Sequence, residues 1–175
     1  NTFSDGNSGR FITAGAMQIG VSDGYTTDTW TSMYRVVASA NILIGTDPAT
    51  IEGEAAEINH ILGQAYAMRA LAHFDALKLF GQQHVSGGTL GVPYVTTYKG
   101  EDLSPARNSV SEVRSMIEAD LAQAASLMSA SLNNGSKQFM TTYGVNALQA
   151  RVALYFGDWN TAKTAAQTVV NSGTY

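Results

Sequence analysis

The sequence holds no cysteine, which excludes disulfides, thiol nucleophiles and cysteine-ligated metals within this chain. Charge is scarce as well: Asp, Glu, Lys and Arg make up 14% of residues, against about 25% in an ordinary soluble domain. The ten basic residues are scattered from Arg10 to Lys163 without forming a run, and the net charge is −4. Phosphate backbones need clustered cations, so nucleic acid is excluded as a partner. No apolar run approaches the roughly 18 residues that a membrane-spanning helix requires. The opening residues, with Asp5, Arg10 and many Gly, Ser and Asn, lack the pattern of a signal peptide. Any export signal or lipid anchor is therefore expected outside this chain.

What is present is apolar material for one core: 175 residues, 45% of them hydrophobic, about one domain of chain. Residues 1–28 show no sustained period and read as an irregular segment with a short apolar turn at Phe11-Ile12, followed by a helical region over 29–175. Trp30, Tyr34, Val37, Asn41 and Ile44 step by four and three along one helix face, and Gly45 stops it. The longest helix is predicted from Thr50 to Phe80 on Ile58, Leu62, Ala65, Arg69, Ala72, Ala76 and Phe80. Gly63 is a candidate break, because a helix-interior glycine costs about 1 kcal/mol relative to alanine. Gly81 is placed to close it as a C-cap. A long connection over 81–108 follows, with Leu90 to Val95 as a short extended piece. Ser109-Val110-Ser111-Glu112 is a capping box that opens a helix with Val113, Ile117, Leu121, Ala124 and Met128 inward. Further helices are predicted over Thr142 to Phe156 and Asn160 to Ser172, joined at Gly157-Asp158. The fold class is all-α.

Catalytic and metal patterns are weak. Glu54, Glu57 and His60 share a helical spacing, but a di-iron pair needs a second such pair on another helix. The other histidines, His73 and His84, have no glutamate three residues before them, so the three residues read as a solvated face. His73, beside Phe74, reads as a packed histidine. There is no Gly-x-Ser-x-Gly elbow, and Gly87-Gly88-Thr89-Leu90-Gly91 lacks the lysine of a phosphate loop. A glycosidase would need two carboxylates about 5 to 9.5 Å apart, which leaves Asp23, Asp28, Glu101 and Asp102 as an open but poor set. Binding is better supplied. Asp23 and Tyr25 pair a carboxylate with an aromatic face, Tyr94 and Tyr98 lie in the long connection, and aromatic rings with a few polar groups suit carbohydrate.

Gly157-Asp158-Trp159, with Ala150 before and Ala162 after, matches the turn of a tetratricopeptide hairpin. In that motif small residues let the helices approach, and the aromatic fills the corner. The order of blocks goes further. Gly63-Gln64-Ala65-Tyr66-Ala67-Met68-Arg69-Ala70-Leu71-Ala72-His73-Phe74-Asp75, then Leu79-Phe80-Gly81 and Val92-Pro93, resembles the SusD/RagB family. So do Arg107-Asn108-Ser109 with its capping box, and Ala150-Arg151-Val152-Ala153-Leu154-Tyr155 running into Gly157-Asp158-Trp159. Trp30, Tyr34 and Asn41 fit the preceding helix. Gln64 departs from the usual glutamate, and the stretch from Gln82 to Leu90 is longer than usual.

The resemblance implies tetratricopeptide-like hairpins in a lipid-anchored lipoprotein of the outer membrane's cell surface. It implies non-catalytic binding of an oligosaccharide or other nutrient, with no cofactor, beside a TonB-dependent, SusC-like transporter. Trp30, Tyr34, Asn41, Arg69, Phe80, Gly81, Arg107, Arg151, Gly157, Asp158 and Trp159 then carry structure. Ligand contact falls to Arg10, Asp23, Tyr25, Tyr94 and Tyr98, chosen by location and residue type. The chain is expected to be a fragment of a longer protein. The alternatives are a tetratricopeptide-like protein-interaction module and an all-α carbohydrate-active enzyme.

Overall fold

A computed structural model describes residues 12–99, 104–136 and 138–174. The chain divides into two compact units, Asn1–Ser32 and Met33–Tyr175. The first holds a single helical turn, α1 (Ile12–Gly15), and the start of α2 (Gly24–Ile44), which continues into the second. Helix α1 falls at the short turn expected by Ile12, and the irregular reading of residues 1–28 is corrected at α2, which begins at Gly24 instead of near Trp30. Asp23 explains the early start: its carboxylate accepts the Tyr25 amide at 2.9 Å, and its carbonyl accepts the amides of Thr26 and Thr27. A polar first turn anchored by a cap leaves no apolar period to read.

In the second unit, α3 (Ala55–Phe80), α4 (Val110–Leu127), α5 (Thr142–Tyr155) and α6 (Trp159–Asn171) follow in order. Helix α3 starts at Ala55, since residues 48–50 form a separate turn whose cap, Asp47, accepts the Ala49 amide. It runs unbroken through Gly63. A side chain there would collide with Met128 and sit 3.0 Å from the Ala124 carbonyl, so glycine is what lets α4 lie against α3. Gly81 ends α3 in an extended conformation, φ −84° and ψ 166°, not in the left-handed form of the usual C-cap glycine. Its role is again room, because a Cβ would stand 2.6 Å from the Leu77 carbonyl.

The capping box opens α4 as expected. The Ser109 amide donates to Glu112 Oε2 at 2.7 Å, and the Glu112 amide donates to Ser109 Oγ at 3.2 Å. Those Ser109 donors hold the Glu112 carboxyl below its ordinary range. Val113, Ile117, Leu121 and Ala124 are fully buried, and Arg114 meets Glu118 at 2.7 Å on the outer side. In the closing hairpin, Gly157 takes φ +76°, the left-handed region where glycine carries no Cβ penalty. Asp158 then caps α6 through the Thr161 amide at 3.1 Å, and the Thr161 side chain and amide together keep its carboxyl below the ordinary range. The helices meet through Val152, Ala153, Ala162 and Ala165, all buried. Trp159 does not fill the corner, a correction to the sequence reading. The small residues close the gap without it, and the indole is 67% exposed.

Among the described residues there is no strand, only an isolated antiparallel bridge between Leu90 and Ser109. Nor is any helix there long and apolar enough to cross a membrane.

Gly63→Ala tests the close approach. Helix propensity alone would stabilise the variant by about 1 kcal/mol, whereas overpacking against α4 costs about 1 to 3 kcal/mol. A net loss in thermal unfolding midpoint is expected, and a gain would show that α3 and α4 need no glycine between them.

Candidate functional site

Within the connection over 81–108, a buried polar cluster holds residues 93–96. Arg69 on α3 and Asp120 on α4 are 5% and 6% exposed. Two parallel bonds join them, Nε to Oδ2 and Nη2 to Oδ1, each 2.7 Å. The remaining guanidinium nitrogen, Nη1, donates to Asn41 Oδ1 at 2.8 Å and to the Thr96 carbonyl at 3.2 Å. Asn41 Nδ2 donates onward to the Val95 carbonyl at 3.0 Å, and Tyr34 on α2 donates to the Pro93 carbonyl at 2.8 Å. Helices α2 and α3 thus grip residues 93–96 by their backbone, and α4 holds the Tyr94 side chain through Asp120. Arg107 closes the connection from its far end, donating to the Phe80 and Gly91 carbonyls at 3.1 Å each.

His73 completes the cluster. Its Nδ1 lies 2.9 Å from the Arg69 carbonyl, which can only accept, so Nδ1 carries the proton. Nε2 is then free to accept the Val95 amide, 3.1 Å away. The ring stacks on Tyr94 with centroids 3.8 Å apart. Burial, outweighing its bond to the Arg69 carbonyl, lowers the His73 pKa to about 4. Burial likewise raises Tyr34 to about 12.

The residues assigned to structure by the sequence therefore have a physical task here. Tyr34, Asn41, Arg69, Phe80 and Arg107 fasten one connection. Arg151, further along, approaches Asp75 at 3.4 Å, the carboxylate that also pairs with Lys78. Trp30 is half-buried. Asp120 was missed as the partner of Arg69, although an aspartate on the inward face beside Ile117 and Leu121 was a signal for it.

Of the expected ligand residues, Tyr94 is corrected. It is 9% exposed and its hydroxyl donates to Asp120 Oδ2 at 2.7 Å. Burial and the Asp120 charge push the phenol pKa well above its ordinary value, so the ring packs the core and offers no face to a ligand. Tyr98, four residues on, is 47% exposed, with Lys99 Nζ 5.4 Å from its ring centre. Tyr25 is 39% exposed at the start of α2, beside the capping Asp23. Arg10, Glu101 and Asp102 lie outside the described residues. Glu54 and Glu57 are exposed, but His60 is buried, which corrects the solvated-face reading: its Nδ1 accepts the Ser129 amide at 3.2 Å. No cluster of metal-ligating side chains occurs among the described residues.

Helices α4, α5 and α6 enclose a groove of about 570 Å³, lined by Asn146, Gln149, Thr164 and Thr168 above buried Leu121 and Val152. A smaller groove of about 390 Å³ between α2 and α3 is apolar, with Val36, Leu43, Ile61 and Met68.

The family described as starch-binding and associating with the outer membrane, SusD-like, matches residues 3–154. The chain belongs to the SusD-like family. A SusD-like protein of Formosa agariphila is 26% identical over 150 residues, covering 83% of this chain and 26% of that protein. A solved Bacteroides vulgatus protein, provisionally described as sugar-binding, is 28% identical with a TM-score of 0.81. It covers 93% of this chain, which in turn spans 36% of its length. A SusD-like carbohydrate-binding protein from the same species is 25% identical with a TM-score of 0.73, over 84% of this chain and 31% of that one. This SusD-like chain therefore spans about a quarter to a third of the length of these relatives.

The buried histidine makes the cluster sensitive to acid. The folded protein resists protonating His73 until about pH 4, whereas the unfolded chain takes the proton near 6.5. His73 thus contributes no penalty above pH 6.5. Its contribution to stability falls as the pH drops from 6.5 to 4, by about 3 kcal/mol in all, and then levels off. Unfolding midpoints of the native chain and His73→Gln across that window check this. The native chain is expected to show the steeper loss, and equal slopes would contradict it.

Proposed function

We propose that this chain belongs to a non-catalytic glycan-capture protein of the outer-membrane cell surface. In this reading it is lipid-anchored through a cysteine outside the chain and works beside a SusC-like, TonB-dependent transporter. The observation that carries the reading is the match of a starch-binding, outer-membrane family over residues 3–154, on a fold shared with a carbohydrate-binding relative. Binding would be non-covalent and cofactor-free. In the first unit a sugar ring would stack on the exposed face of Tyr25, with hydroxyls bonded to Asp23 and Arg10; in the second, the exposed face of Tyr98 would serve by itself as a stacking surface. Aromatic faces suit this because sugar C–H faces are apolar while their edges are wet. Residues 93–96, fixed by three helices, supply a rigid base for the segment that carries Tyr98, and rigidity before binding lowers the entropic cost of capture.

A second reading, a tetratricopeptide-like interaction module, draws on the groove between α4 and α6. Its amide and hydroxyl lining includes no aromatic ring, and its one arginine is neutralised by Glu118 at 2.7 Å. Such a lining suits polypeptide backbone better than sugar. The two readings are compatible, since a capture protein also needs a face for its partner.

Titration calorimetry with maltooligosaccharides separates the possibilities. Binding is expected in the native chain and weakened in Tyr25→Ala and Tyr98→Ala, by about 1 kcal/mol each, with the sugar recovered intact. Unchanged affinity in both variants would remove these residues from the site, and cleavage of the sugar would point to the enzyme alternative.

A further inference from the structure

The loop between α4 and α5 carries a covalent reactivity independent of the glycan reading. The structure assigns Asn134-Gly135 as a site of self-modification, at which the asparagine side chain loses ammonia to its own backbone. We infer this from four observations. Asn134 and Gly135 are both exposed. The Gly135 amide makes no hydrogen bond within the described residues, so the nitrogen that must attack is not tied up. The Asn134 Nδ2, the departing group, is likewise unbonded. Finally, the Ser136 amide donates to Asn134 Oδ1 at 2.8 Å.

The last contact activates the side chain. A donor on Oδ1 draws electron density from Cγ and stabilises the negative charge that develops on that oxygen during attack, as an oxyanion hole does. The Gly135 nitrogen gives its proton to hydroxide and forms a bond to Asn134 Cγ. The Cγ–Nδ2 bond breaks, and the nitrogen leaves as ammonia after taking a proton from water. The result is a five-membered imide. Water then opens the imide at either carbonyl, yielding aspartate on the original backbone or isoaspartate with one extra carbon in the main chain. Overall one water enters and one ammonia leaves, with no change of oxidation state.

The other described asparagines are held differently. Asn133 uses both ends of its side chain on Thr142, at 2.8 and 2.9 Å. Asn41 is buried with both ends engaged. Asn108 accepts the Tyr94 amide, and the following Ser109 nitrogen is bonded to Glu112. Ser172, which follows Asn171, donates to the Val169 carbonyl. Asn59 and Asn146 lie within helices, whose amides are committed to the helical ladder, and the Thr161 amide after Asn160 donates to Asp158 Oδ1 at 3.1 Å. Only Asn134 precedes a glycine in the sequence, and only there is the backbone unshielded by a Cβ. The neighbouring Asn133–Thr142 clamp does not use the converted group, so the hairpin keeps its anchor.

Peptide mapping of the intact, folded chain after incubation in mildly alkaline buffer tests this. Two new forms of the peptide containing residue 134 are expected, of equal mass, with NH2 replaced by OH. The whole chain should also elute on anion exchange with one negative charge more than its original −4. Conversion should rise with pH and proceed at least as fast as in urea-unfolded chain. It should fall below detection in Gly135→Ala, where the added Cβ meets nothing within 4 Å and the fold is retained. An unchanged Asn134 in folded protein while the unfolded chain converts would overturn the assignment, as would equal conversion in Gly135→Ala.

Discussion

The pair formed by Arg69 and Asp120 is the contact on which the rest of the second unit depends. Two charges taken out of water are costly unless each remaining lone pair and proton finds a partner. Here they do. The guanidinium spends its spare nitrogen on Asn41 and Thr96, and the carboxylate accepts the Tyr94 hydroxyl as well. Because the partners come from α2, α3, α4 and the long connection, satisfying the charges and assembling the unit are one event. Lysine could not replace Arg69, since its ammonium lacks the planar fork that engages two oxygens at once.

That arrangement explains how a long segment without regular structure is held in order. Loops carry backbone groups that must find partners when they are buried. The segment over 93–96 sends carbonyls to Tyr34, Asn41 and Arg69 and the Val95 amide to His73, so side chains do the work of a missing strand neighbour. The consequence at the surface is that Tyr94 and Tyr98 have opposite fates. One seals the core against His73, and the other emerges within a few residues of a fixed anchor.

Much of the helical architecture was legible because it is local. The capping box at Ser109, the inward face of α4 and the Gly157-Asp158 turn are each written in a handful of adjacent residues. What was not legible is nonlocal. Gly63 looks like a helix break until Met128 and the Ala124 carbonyl lie beside it. Tyr94 looks like a loop aromatic until Asp120, on another helix, claims its hydroxyl. Trp159 matches a hairpin motif whose aromatic packs inward, yet the alanines of α5 and α6 close the gap and leave it outside. His60 shares a helical spacing with two exposed glutamates but turns toward Ser129. Of the candidate ligand residues, type and location marked Tyr25 and Tyr98 as usable surface, and the same criteria were blind to Tyr94.

Side chains from α2, α3 and α4 make the 93–96 segment as permanent as the helices themselves. Native-state hydrogen exchange at the Val95 amide, which donates to buried His73, measures this most directly. Exchange governed by global unfolding, at the rate of the most protected amides of α3, is the result expected. Rapid exchange at the rate of an exposed loop, with α3 still protected, would mean that the connection opens independently and that the buried pair does not hold it.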